Sequence, residues 1–369
     1  MQTRTAVHSL EGAKKQRSTA EAQAYFTMCS LMLFSQMMLY GSLGVLPEAG
    51  NASWWLAALM ALPALAAWGV LRWATWGGLD LAQALGTGLG RIGAGAAGIL
   101  YGLLLGVDVQ FALSGLTELT AAFVIEDGSV WQLAPWGAAA GIAGVWLGRE
   151  MGAARCCYLM RWLLAAVLTG CVIAALPMGD AAFLFPWQFE SLQRDMHQGL
   201  LWSGSLWPVV LTGFLPAGAS AQRMKRSWTV LLGIAGVLLL FFGYCFVLPA
   251  FSFREKMTWG ERMVVFLRAS PSKLMWEILL IFKMLVLLLN VCAAASLAGR
   301  LITRLALPKV HPGLWATLII GAAVPLAASH TQWCQEVLIM VGPWRLPMAL
   351  APLFPTGAVL AWKRRKKQL

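Results

Sequence analysis

Between Tyr25 and Trp362 the sequence is a succession of apolar runs long enough to cross a bilayer, and this constrains the fold more than any other feature. A hydrocarbon core takes roughly 20 residues of apolar α-helix. By that measure ten candidate spans follow one another, at 24–47, 53–73, 92–124, 130–147, 157–177, 198–220, 227–250, 272–304, 312–329 and 335–362. A backbone in lipid must satisfy its own hydrogen bonds, so each run is expected to be a helix. Charged residues make up only 12% of the chain, against about 25% in soluble domains. The expected fold class is an all-α polytopic membrane protein of about ten transmembrane helices. Residues 1–23 are read as a cytoplasmic polar tail, 24–362 as a single transmembrane bundle and 363–369 as a basic cytoplasmic tail. The polar N-terminal stretch lacks the apolar core and cleavage site of a signal peptide.

The formal net charge of +12 does not describe a nucleic-acid binder. Its Lys and Arg residues fall in short clusters between apolar runs, the arrangement that retains cytoplasmic loops on the inside. Lys363-Arg364-Arg365-Lys366-Lys367 places the C-terminus inside, and ten spans then place the N-terminus there too. The inner connections carry Arg72 and Arg91, Arg149 and Arg155, Arg223 and Lys225, and Arg300 and Arg304. Residues 251–271 run against the rule, with Arg254, Lys256, Arg262 and Arg268 on an outer connection. They read as an amphipathic segment lying on the outer surface.

Two of the runs are interrupted. Tyr40-Gly41-Ser42-Leu43-Gly44-Val45-Leu46-Pro47 closes the first span, and Leu201-Trp202-Ser203-Gly204-Ser205-Leu206-Trp207-Pro208 opens the sixth. Five spans occupy 24–177 and five occupy 198–362, so the second set must be inverted relative to the first. The expectation is a five-plus-five inverted repeat with broken first and sixth helices. Paired interruptions of this kind mark binding sites in secondary transporters. Unwound backbone leaves N–H and C=O groups that a small ligand can satisfy, and a half-helix N-terminus favours a carboxylate. Gly41, Ser42, Gly44, Ser203, Gly204 and Ser205 are therefore the candidate ligand-binding residues. The alternative is that these small residues serve tight helix packing.

Three polar residues stand inside apolar runs: Asp108, Lys283 and Asn290. An ionisable group at membrane depth is costly and suggests function. One arrangement pairs Asp108 with Lys283 across the third and eighth spans. Another has Lys283 act as a fixed cation bracing the first broken helix, and a purely structural pair is the third. Asn290 follows Lys283 by seven residues and shares its helix face. Glu118, Glu277 and Arg345 are expected near the interfaces, and Asp80 and Glu150 in solvated inner connections. The seven cysteines contain no C-x-x-C pair and the four histidines are scattered, so no metal site or cofactor is expected. No G-x-S-x-G, H-E-x-x-H or P-loop pattern occurs, and the chain does not read as an enzyme.

The chain resembles the B subunit of spore germinant receptors (the spore germination permease family), a branch of the amino acid–polyamine–organocation transporter superfamily. The resemblance runs nearly its full length. It rests on the broken opening span through Pro47, followed by Ala52-Ser53-Trp54-Trp55-Leu56, and on the amphipathic inner stretch Leu79-Asp80-Leu81-Ala82-Gln83-Ala84-Leu85 leading to Gly86 and Gly90. Phe111 to Ala122 with Glu118, Phe282-Lys283-Met284 and the short basic tail complete it. Leu43 departs from the pattern, standing where the family often has a small polar residue. The resemblance implies a broken-helix transporter scaffold that recognises a small nutrient, commonly an amino acid. It also implies an A-type membrane subunit and a C-type lipoprotein as partners in the inner spore membrane. A secondary amino acid permease of the cell membrane, coupled to protons or sodium, is the alternative.

Overall fold

The computed structural model describes residues 20–36, 53–75, 79–123, 130–148, 152–175, 203–214, 273–328 and 340–366. Every regular element among them is helical. We label them α1 (20–36), α2 (Ser53–Ala74), α3 (Leu81–Phe123), α4 (Val130–Gly148), α5 (Gly152–Ala175), α6 (Lys273–Leu305), α7 (Pro312–Ala328), α8 (Arg345–Leu350) and α9 (Leu353–Arg365). Two 3-10 segments, Ser203–Gly213 and Gly342–Trp344, complete the described set.

The bundle is built on α3 and α6, the two longest helices. They run antiparallel. Gly98 of α3 meets Leu301 and Leu305, and Gly102 meets Ile302. Lipid gives no hydrophobic drive for one apolar helix to leave it for another, so close backbone approach at small residues supplies the packing energy. The same device recurs where Gly141 and Gly144 of α4 take Val291 and Cys292, and the Cys292 thiol donates to the Gly141 carbonyl. Side chains facing outward are as apolar as those within. Ile92, Leu103, Leu147, Ile281 and Leu318 are exposed, whereas Tyr101, Leu105, Leu287 and Ile320 are buried. A helix apolar on all sides belongs in lipid rather than at a water-facing surface. The all-α polytopic membrane fold expected from the sequence is the fold observed.

α3 begins before its span. Gly90, at φ 72°, takes a left-handed conformation that a side chain would strain, and it separates a short leading segment from the membrane helix. Asp80 starts that segment through a reciprocal cap. The Gln83 N–H donates to Asp80 Oδ1 at 2.7 Å, and the Asp80 N–H donates to Gln83 Oε1 at 3.2 Å. Asp80 Oδ2 also accepts from Arg304 of α6 at 2.5 Å. The expectation of a solvated Asp80 is thus corrected: the residue caps a helix and joins two elements.

The sixth span is not an α-helix over its described part. Ser203–Gly213 forms eleven residues of 3-10 helix, buried throughout and containing Pro208. Runs beyond three or four residues are uncommon and mark strain or hinges. The final span is also discontinuous, contrary to the single run 335–362. It turns through Gly342-Pro343-Trp344, continues as α8, and breaks again at Ala351-Pro352 before α9. Proline removes a helical donor and crowds the preceding turn, and four prolines lie between Pro343 and Pro355. The C-terminal end of α9 is anchored where Lys363 Nζ donates to the Thr87 carbonyl at 2.8 Å.

Candidate functional site

The two discontinuous segments of the second half meet. A methyl group at Gly204 would overlap the Gly342 carbonyl, so the Ser203–Ser205 break lies backbone to backbone against the Gly342–Trp344 turn. Only glycine permits that approach. The turn delivers Arg345 into the bundle at the start of α8. Arg345 is fully buried, as is Asp108 on α3, and the two form an ion pair. Arg345 Nη1 also donates to Gln36 Oε1 of α1 at 3.1 Å. Its guanidinium carbon lies 5.6 Å from the ring centre of Trp207, another fully buried side chain, within cation–π range. One cation therefore links α1, α3, α8 and the 3-10 segment.

The junction is under-satisfied. Among the described residues, Gln36 Nε2, Trp207 Nε1 and Asp108 Oδ2 are buried without a hydrogen-bond partner. Arg345 fixes the orientation of the Gln36 amide, because only the amide oxygen can accept from it. The Gln36 NH₂ group is left as a donor, and the Trp207 indole can only donate. Each such group costs about 1–3 kcal/mol when buried unpaired. Several together at membrane depth are what a polar ligand would relieve.

Asp108 does not pair with Lys283. The antiparallel register of α3 and α6 brings Lys283 level with Glu118, within electrostatic reach of it. That position is ten residues from Asp108, or about 15 Å along a helix. The fixed cation at the breaks is Arg345, from a helix whose charge was expected near the interface. The same register sets Asn290 opposite Phe111, one turn from Asp108. Asn290 is fully buried, and neither end of its amide finds a partner among the described residues. Glu277 is exposed, as expected of a span end. Ser203 and Ser205 are buried in the break. Gly41, Ser42 and Gly44 lie outside the described residues, and α1 ends in this description at Gln36, five residues before Gly41.

Arg345, Gln36 and Trp207 were missed in the sequence. Arg345 carried a usable signal: it stands ten residues inside an apolar run and directly follows Gly342-Pro343-Trp344. An intramembrane ionisable residue beside a helix breaker meets the criterion that selected Asp108. Gln36 and Trp207 carried none, because an isolated amide or indole in an apolar run is compatible with many packings.

The described residues thus place a buried ion pair beside discontinuous helical segments in an all-helical membrane bundle. Solved structures agree on the fold. Two variants of the manganese transporter of Eremococcus coleocola, one histidine-to-alanine and one glutamate-to-alanine, each superpose with a TM-score of 0.61, at 13% and 14% identity. Each match covers 92% of this chain and 76% of the neighbour. The same transporter in complex with an aromatic bis-isothiourea substituted compound matches with a TM-score of 0.56 at 12% identity, over the same shares. At these identities the likeness is one of fold. No protein-family model matches the chain, and no curated protein matches it.

Proposed function

We propose that the chain recognises a small zwitterionic nutrient, an amino acid, at the Arg345–Asp108 junction and the adjoining breaks. In this reading it acts as the ligand-sensing B-type subunit of a spore germinant receptor. It works as one transmembrane bundle with both termini cytoplasmic, in the inner spore membrane beside A-type and C-type subunits. The observation that carries the ligand class is the polarity of the unsatisfied groups. Gln36 Nε2 and Trp207 Nε1 offer two donors to a carboxylate, and Asp108 Oδ2 offers an acceptor to an ammonium. The expected small-residue site at Gly41, Ser42, Gly44, Ser203, Gly204 and Ser205 would supply backbone groups to the same ligand.

The test is thermal unfolding of the purified protein against a panel of amino acids, sugars and nucleosides. A ligand at 100 times its Kd stabilises the native state by about 2.7 kcal/mol. A selective shift with one amino acid is expected. It should weaken in Trp207→Phe, which deletes one indole N–H and keeps an aromatic ring. Shifts only with uncharged sugars or nucleosides would remove the zwitterion reading. Amino acid permease is the second reading, favoured by the transporter fold of the structural neighbours. Concentrative uptake of the stabilising amino acid into proteoliposomes would establish it.

A further inference from the structure

We infer that Arg345 is a built-in cation that takes the place of a dissociable metal or alkali ion at the meeting point of the discontinuous segments. A buried carboxylate at membrane depth requires a countercharge. Asp108 receives its countercharge from the chain itself, through an ion pair in which both partners are fully buried. The same guanidinium reaches Gln36 on α1 and stands near the Trp207 ring in the 3-10 segment. From its own α8 it thus reaches α1, α3 and the 3-10 segment at once. A guanidinium is permanently charged and presents its donors in a rigid fork. It cannot diffuse away, so assembly of the junction does not depend on cation concentration.

The arrangement also sets specificity. A carboxylate already neutralised by an arginine presents no net negative charge to a free cation, and the guanidinium repels one. The junction therefore selects against metal ions and polyamines and admits ligands of zero net charge. This second point rests on the ligand reading above; the first does not, because it can be measured without ligand.

The experiment is thermal unfolding of the full chain, without nutrient, in NaCl, KCl or choline chloride at equal ionic strength, with and without added MnCl₂. Wild-type curves are expected to coincide in all of them. Arg345→Lys, which keeps the charge, should retain that indifference with a lower midpoint. Arg345→Gln should lose stability and regain part of it with rising Na⁺ or Mn²⁺, because Asp108 is then uncompensated. A saturable stabilisation of the wild type by one cation, abolished in Asp108→Asn, would overturn the inference, since a free ion would then occupy the junction. An Arg345→Gln protein as stable as the wild type and equally indifferent to cations would overturn it too. Failure of every nutrient to shift the wild type, with the cation results as expected, would defeat only the ligand reading.

Discussion

Among the described residues, two Arg–Asp pairs link α3, or its cap, to another element, and they are opposites in environment. Arg345–Asp108 has both side chains fully buried at the junction of the discontinuous segments. Arg304–Asp80 lies at one rim of the bundle, with the arginine side chain 41% exposed and the aspartate 10% exposed. The chemistry is identical, so the difference isolates what burial does. At the rim, water reaches the arginine whether or not the pair forms, and the net gain is small. In the bundle neither charge has water to fall back on. Each then depends on the other, and loss of one leaves the other uncompensated.

The largest expected effect follows from that dependence. Arg345→Met should cost about 3–5 kcal/mol, the usual penalty for stripping one partner from a buried pair. Adding Asp108→Leu should recover most of the loss, because the orphaned carboxylate is removed with its partner. Chemical unfolding in detergent of the two single variants and the double variant measures the coupling directly. A double variant no more stable than Arg345→Met would mean that Arg345 acts through Gln36 and Trp207 rather than through Asp108.

The two pairs also show how far the sequence could be read. The membrane architecture was legible because it follows from run length and charge placement, and helices α2, α4, α6 and α7 fall close to the expected spans. Asp108 was legible as a buried intramembrane acid by the same logic, one acid in an apolar run. Its partner was not. Pairing Asp108 with Lys283 was one of the arrangements the sequence left open, and the antiparallel α3–α6 register sets Lys283 opposite Glu118 instead. Finding Arg345 required knowing that Gly342–Trp344 breaks the last span and turns the following residue inward. Asp80 was misplaced for a related reason. Its capping partner Gln83 lies three residues on and is visible in sequence, but Arg304 comes from more than 200 residues away.

At the rim, the cap should matter more than the ion pair. Asp80→Ala removes the bond accepted from the Gln83 N–H, and loss of an N-cap costs about 0.5–2 kcal/mol. Asp80→Asn keeps a capping oxygen while deleting the charge, and should retain most of that stability. Thermal unfolding of both variants separates the contributions. Equal losses would assign the role of Asp80 to its charge and make the rim pair resemble the buried one more closely than its exposure allows.

The smallest effect is expected for Arg304→Met, about 0.2–1 kcal/mol, in line with partly exposed ion pairs. Salt sharpens the contrast. At 1 M ionic strength the screening length falls to about 3 Å, so charges reached by water cease to attract appreciably. The stability gap between wild type and Arg304→Met should then close in any salt, while the gap between wild type and Arg345→Met stays open in choline chloride and narrows only in NaCl, where a small cation can take the vacated place beside Asp108. Unfolding midpoints at low and high NaCl, with choline chloride as the ionic-strength control, would read both gaps in one series. If the Arg345→Met gap closed in choline chloride as the rim gap does, water and bulk ions would screen the junction of the intact bundle. The groups around Asp108 would then line an open pathway rather than a sealed site, which would favour a conducting permease over a sensor.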